Sequence, residues 1–138
     1  MKTIFLALVI MLLGFGIAFS QDGAGDNSLS AAGDAAAGKK VFLKCRACHN
    51  PGAAATHKFG PNLDNIFGRM AATSANYKGY SKALRESAIV WDEAALDQWL
   101  RDPQNFLPGN KMPFAGIRSA QDRADLMAYL REATEAGQ

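Results

Sequence analysis

The sequence predicts an all-α fold, and three observations predict it. No segment alternates apolar and polar residues over the length of a strand. Three segments place apolar residues on one helical face behind a capping residue, beginning near Asp34, at Asp92 and at Ser119. The stretches between them carry Gly, Pro and Asn too often for long helices. The chain has 138 residues and 49% hydrophobic content, enough for one core and one domain.

The first twenty residues stand apart from that core. Lys2 precedes an apolar run from Ile4 to Phe19, and Ala18-Phe19-Ser20 is a small-x-small cleavage pattern. This reads as a secretory signal peptide, residues 1–20. Sixteen residues rising about 1.5 Å each would cover only about 24 Å of a hydrocarbon core roughly 30 Å thick, which disfavours the competing reading, an uncleaved membrane anchor. After Gln21, residues 22–37 are Gly, Ala, Ser, Asp and Asn with the lone Leu29, and 21–37 is taken as one segment. Such a composition cannot offset the entropy of ordering itself and reads as a flexible linker. The folded domain is placed at 38–138, with order setting in near Asp34, an expected N-cap.

From there Gly38, Val41, Phe42 and Cys45 share one helical face, so the first helix is expected to carry Cys45–His49 at its C-terminal end. Residues 50–70 should be irregular loop with at most one short helix. Asp92 opens a helix through Leu96, Trp99 and Leu100 that stops at Arg101-Asp102, because Pro103 disfavours a helical residue before it. Phe106–Gly116 is again loop. Ser119 with Asp122 resembles a capping box and starts a helix in which Leu126, Tyr129, Leu130 and Ala133 share one face, with Gly137 as its stop. Loops then fill nearly half of the folded part, which points to function or to a missing component of the core.

The chain has two cysteines, Cys45 and Cys48, and His49 follows the second. Cys-x-x-Cys-His is the attachment signature of c-type haem: thiols one helical turn apart can each bond one vinyl group of a single porphyrin, and the adjacent imidazole is then placed to ligate the iron. A large apolar cofactor would also supply the surface on which long loops pack. Three other readings fit less well. A redox dithiol would sit at a helix N-terminus beside strands. A zinc site would need His57, at no finger spacing from His49. A disulfide across two residues would constrain the unfolded chain little and leaves His49 without a task. For the sixth position of the iron the candidates are Met70, Met112, Met127 and His57. Met127 falls inside the last helix as a packing residue, and Met70 lies in a loop. Met112 lies in Pro108-Gly109-Asn110-Lys111-Met112-Pro113-Phe114, where prolines stiffen the backbone and glycine lets it approach a flat ring. A second protein ligand makes the iron coordinatively full, which favours electron transfer over chemistry on a bound molecule.

These motifs, "GKKVFLKCRACH", "HKFGPNL", "IFGR", "LRDP", "LPGNKMPFAGI" and "DLMAYL", resemble the class I c-type cytochromes over Gly38 to about Thr134. The resemblance implies a cytochrome c fold whose N- and C-terminal helices cross, with Gly38 and Phe42 meeting Leu126 and Tyr129. It implies one covalent haem on Cys45 and Cys48, His49 and Met112 as axial ligands, and Pro61 accepting a hydrogen bond from His49. It further implies Arg69, Tyr80 and Trp91 around a propionate, Trp99 and Phe114 against the haem, and His57 tying two loops together. Without the resemblance, Tyr80 and Trp91 would read as ordinary core. The chain departs from the family at Trp99, where a Tyr is usual, at Asn110, where Thr is frequent, and at Leu84, where a polar residue is common.

The implied function is a monohaem electron carrier and not an enzyme; a haem enzyme or ligand sensor with a labile Met112 is the alternative. Partners would be membrane redox complexes met in transient docking, a quinol-cytochrome c reductase as donor and a terminal oxidase or photosynthetic reaction centre as acceptor. The carrier would be a monomer, exported to the bacterial periplasm, or membrane-tethered if residues 1–20 stay attached. Charge agrees: Gly38 to Ile89 carries nine Lys or Arg against two acids, while Val90 to Gln138 carries five against eight. A basic half containing Lys39, Lys40, Lys44, Lys58 and Lys82 suits acidic partners, as does Lys111 beside the methionine. Nucleic acid is excluded as a partner by export and by the lack of any basic run longer than two. The signature predicts that haem stays with the polypeptide through denaturing electrophoresis, and that Cys45→Ala or Cys48→Ala leaves one thioether or blocks maturation. Free thiols titrating at both cysteines of the native protein would refute it.

Overall fold

The computed structural model describes residues 32–52 and 56–135. The leader at 1–20, most of the linker and the stop at Gly137 lie outside the described residues. Helix α1 spans Ala35–Val41 and begins where Asp34 caps it, its carboxylate accepting from the amides of Ala36 (2.7 Å) and Ala37 (3.1 Å). The boundary drawn at Gly38 therefore cuts the helix. Ala35 to Ala37 belong to it, because three alanines behind a cap have the highest intrinsic helix propensity.

The helix also ends sooner than its periodicity predicts. After Val41 it tightens into a 3₁₀ turn, Phe42–Lys44, and Cys45–Cys48 follow as a turn. The cysteines thus sit beyond α1, held by continuing bonds of helical type: the Arg46 amide donates to the Phe42 carbonyl at 3.0 Å and the His49 amide to the Cys45 carbonyl at 2.9 Å.

No helix forms from 49 to 81 among the described residues. Order there comes from pairing between loops. Met70 and Val90 form an isolated antiparallel bridge, flanked by Trp91 N–H donating to the Arg69 carbonyl (2.9 Å) and Ala71 N–H to the Ile89 carbonyl (2.8 Å). Met70 is accordingly fixed in its backbone while its side chain is exposed. Two further helices, α2 (Lys82–Glu86) and α4 (Pro103–Phe106), are too short to show a period, and the sequence reading omits both. Each is specified by its cap: Ser81 Oγ accepts from Leu84, and Asp102 from Asn105, with Pro103 at the first helical position. Between them α3, Glu93–Arg101, starts behind Asp92 and stops before Pro103 as expected. The last helix, α5, Ala120–Glu135, follows Ser119, whose hydroxyl accepts from the Asp122 amide at 3.1 Å.

The chain has the all-α cytochrome-like arrangement of packed N- and C-terminal helices: α1 lies directly on α5. Two glycines permit it. A Cβ at Gly38 would stand 1.9 Å from the Asp125 carbonyl oxygen, and one at Gly33 would stand 2.0 Å from that of Ala124. Backbone thus meets backbone. Phe42 packs on Tyr129 with ring centroids 5.3 Å apart, and Leu126 is almost fully buried in the cluster they join. That core runs on through Ile66, Trp91, Leu96, Trp99, Leu100 and Ile117.

Gly38→Ala gains about 1 kcal/mol of helix propensity and loses more to overpacking, since the contact is with backbone that cannot rotate away. The expected net destabilisation is about 2 kcal/mol or more, seen as a lower denaturant midpoint with an unchanged slope. A midpoint equal to that of the parent would show that the helices separate freely.

Candidate functional site

The signature residues are gathered by the turn that follows α1. Cys45 and Cys48 are partly buried and are not joined to each other. Burial pushes the Cys45 thiol up to about 11, against the pull of Lys44 and with a small push from Cys48. A redox-active dithiol needs the opposite shift, towards thiolate at neutral pH. Cys45 has the character of an apolar thiol packed on the core.

His49 is oriented from two sides. Its Nδ1 lies 2.8 Å from the Pro61 carbonyl oxygen, which can only accept, so the proton sits on Nδ1 and the Nε2 lone pair is left to bind a metal. Gly60 closes against the ring face: a Cβ there would fall 2.3 Å from His49 Cε1. Gly60 is itself tied to the motif, its amide donating to the Cys48 carbonyl at 2.8 Å. Burial lowers the His49 pKa, the Pro61 hydrogen bond opposes that, and Lys58 adds to it.

On the other side, the irregular chain after α4 returns Met112 near His49. Met112 and Phe114 are both partly buried and pack against the core, with the Phe114 amide donating to the Met112 carbonyl at 2.9 Å. Trp99, on α3, is buried and contacts Trp91 (ring centroids 5.2 Å) and Phe106 (6.2 Å) edge to face. Met127 is partly buried against the core, the packing role expected of it.

The residues assigned to a propionate form a third group. Arg69 and Trp91 are joined through the backbone at the Met70–Val90 bridge, and Arg69 donates to the carbonyls of Asn62 (3.2 Å) and Asp64. Burial lowers the Arg69 pKa, with Tyr80 and Asp64 opposing. Tyr80 is buried, its hydroxyl accepting from the Ser74 amide at 3.2 Å. His57 bridges loops as expected. Its Nε2 lies 2.6 Å from the Ala75 carbonyl and its Nδ1 accepts from the Asn62 amide at 3.0 Å, which puts the ring proton on Nε2. With both nitrogens engaged it is no candidate ligand. A cleft of about 540 Å³ opens here, walled by His57, Asp64, Arg69 and Thr73.

Sequence reasoning missed Asn110 and Gln104. Asn110 enters it only as a departure from Thr, yet its amide and carbonyl organise the backbone around Met112. Neither residue belongs to a periodic pattern that could have announced the role.

The donor set fits a c-type haem: two unpaired thiols on one turn, an imidazole with its Nε2 lone pair available, and a thioether on the returning loop. Comparison with known proteins agrees. The Cytochrome c family model matches residues 35–134. The chain is 48% identical over 104 residues to cytochrome c of Chlamydomonas reinhardtii, covering 75% of this chain and 92% of that protein. It is 45% identical over 103 residues to that of Cannabis sativa, with 74% and 92% covered. Among solved structures, cytochrome cH from Methylobacterium extorquens superposes with a TM-score of 0.67 at 43% identity, covering 72% of this chain and 98% of that one.

Because His49 is held neutral in the fold, the unfolded chain binds its proton more readily, and the stability this gives is present above the unfolded value of about 6.5 and lost as pH falls towards the lower folded value. Stability is expected to fall as the pH drops below about 6.5, by at most about 1.4 kcal/mol per pH unit, the limit for one proton taken up on unfolding. Denaturant titrations of the haem-loaded protein at several pH values measure it, and a stability flat from pH 7 to 5 would contradict it.

Proposed function

The chain belongs to the cytochrome c family, as a monohaem electron carrier with one haem bound covalently through Cys45 and Cys48, and from that premise we propose that His49 and Met112 would hold its iron. The observation that carries the reading is the His49–Pro61 hydrogen bond, which leaves Nε2 as the only ring nitrogen able to bind metal. Bound haem supplies a one-electron ferric/ferrous couple.

The chain's own residues prepare that couple. Pro61 fixes the His49 tautomer and makes the imidazole a better donor, while Gly60 stops the ring from turning. Met112 offers a neutral, polarizable sulfur that favours the reduced state over a charged or water ligand. Trp99 and Phe114 keep water from that side, and a dry site holds its potential steady. Arg69, Tyr80 and Trp91 stand as donors for a buried propionate, whose charge would otherwise be costly.

Transient docking on redox partners follows from the family, and the proposed ones are a quinol-cytochrome c reductase as donor and a terminal oxidase or photosynthetic reaction centre as acceptor. The support is a basic surface: Lys39, Lys40, Lys44, Lys58, Lys82 and Lys111 are all exposed. Its strength is reduced where Lys44 approaches Asp122 (3.9 Å) and Lys82 approaches Glu86 (3.8 Å), exposed pairs of little energetic weight. No helix among the described residues is long and apolar enough to cross a membrane. The proposed setting is the periplasm, reached through the leader at 1–20 and, if that leader is retained, with the domain tethered by the linker at 21–37.

Met112→Ala is expected to let the reduced protein bind carbon monoxide and to lower the reduction potential by at least about 59 mV, a tenfold loss of preference for the ferrous state. Met70→Ala and Met127→Ala should do neither. Voltammetry and carbon monoxide difference spectra decide it, and a parental potential with no carbon monoxide binding in Met112→Ala would place the sixth ligand elsewhere.

A further inference from the structure

The loop that presents Met112 has no regular structure from Leu107 to Ser119. Something other than a helix must hold it. Its hydrogen bonds converge on one side chain. Asn110 Nδ2 donates to the carbonyls of Pro103 (2.8 Å) and Leu107 (2.9 Å), at the start of α4 and just beyond its end, and Asn110 Oδ1 accepts from the Met112 amide at 2.9 Å. Gln104, on α4, reaches the same place from below, its Nε2 donating to the Met112 carbonyl at 2.9 Å and to Asn110 Oδ1 at 3.3 Å. The backbone amide and carbonyl of Met112 are therefore both gripped by side chains anchored on α4.

We infer that Asn110 and Gln104 form a clamp that positions Met112, so that in this chain the strength of the distal ligand is set by two amide side chains. The inference rests on Met112 being a ligand and assigns the residues that regulate it. Asn suits the place and Thr would not serve equally: one carboxamide both donates twice and accepts, whereas a hydroxyl has a single proton to give. Pro108 and Gly109 complete the device. Gly109 has φ +84°, a left-handed conformation that lets the chain double back so that the Asn110 side chain reaches carbonyls three and seven residues earlier. Because the clamp closes on the backbone on either side of the methionine side chain, its loosening frees the sulfur without unpacking the core.

The test uses the haem-loaded protein and two readouts: hydrogen exchange at the Met112 amide, and the fraction of reduced protein that binds carbon monoxide. Asn110→Ala should raise both about tenfold, the loss expected from deleting hydrogen bonds of ordinary net strength. Asn105→Ala is the matched control. It removes a side-chain amide that donates to Asp102, the residue capping the same short helix, and reaches neither Asn110 nor Met112 in the hydrogen bonds of the described residues, so neither readout should move. Gln104→Ala should move both about threefold in the same direction, and it serves as the test should Asn110→Ala fail to mature. Parental exchange at Met112 in Asn110→Ala, or a carbon monoxide fraction no larger than in Asn105→Ala, overturns the clamp. Faster exchange without added carbon monoxide binding, in a background where Met112→Ala does open the iron, also overturns it, since the clamp would then order backbone alone. If Met112→Ala does not open the iron, the ligand assignment falls, and exchange at the Met112 amide then decides by itself whether the two side chains grip this loop.

Discussion

The backbone-on-backbone contact of α1 with α5 is the constraint from which the rest of the molecule is hung. Gly38 and Gly33 remove the side chains that would hold the two helices apart, and Asp125 seals the junction, its buried carboxylate accepting from the Asp34 amide at 2.8 Å and from Gln121 at 2.8 Å. Asp34 in turn caps α1. One acidic side chain on α5 therefore fixes the first residue of α1, and the short length of α1 fixes where the Cys45–His49 turn must emerge. A shift of the crossing by one residue would carry the thiols away from the core they pack on.

The same helix secures the opposite side of the site by a different device. Arg123, buried on α5, reaches Asp97 on α3 at 2.6 Å and the carbonyls of Ile117 and Arg118 at 2.9 Å each. A buried guanidinium is costly unless its protons are spoken for, and here a carboxylate and two carbonyls take them. The carbonyls belong to the end of the Met112 loop, so this ion pair ties that end to two helices at once. The close approach of Gly116 to the Arg101 carbonyl and the Ile117 amide bond to Leu100 (2.8 Å) complete the closure. With Asn110 gripping its beginning, the loop is held at both ends.

How much of this was legible in the sequence depends on how local the cause is. The caps at Asp34, Asp92 and Ser119 lie within a few residues of the helices they start, and all three act as read. The Cys45–His49 motif is contiguous, so its chemistry could be named outright. Helices α2 and α4 escaped because five and four residues carry no period, and the 3₁₀ turn after Val41 escaped because tightening leaves the apolar pattern intact. The places proposed for Pro61, Arg69 and Trp91 came only through family resemblance, since they depend on pairings such as His49 with Pro61 and Arg69 with Trp91, distant in the chain, that leave no trace in composition. Asn110 was visible as a departure and invisible as a cause, for its partners are backbone atoms, which every sequence has.

The contrast between the two sides of the site also bears on what an electron carrier requires. His49 is held by a carbonyl and a glycine within twelve residues of it, in a segment whose amides bond one another closely. Met112 is held by a loop that reaches α3, α4 and α5, so its position integrates the state of most of the fold. With His49 and Met112 holding the iron as proposed, a carrier would gain from such an arrangement, since side chains held this firmly would move little when the charge on iron changes. The charge pattern adds the complementary part: the basic half of the chain contains the Cys45–His49 turn, while the acidic excess lies in α3 and α5, which form the scaffold behind it. For the proposed docking on an acidic partner, the exposed lysines beside the attachment turn, Lys44 and Lys58, would favour an approach with that turn leading. Packing thus places the side chains offered to the iron while charge would guide the approach, and the two overlap at Lys44 and Lys58, which act on Cys45 and His49 and so cannot change for a new partner without being felt at the site.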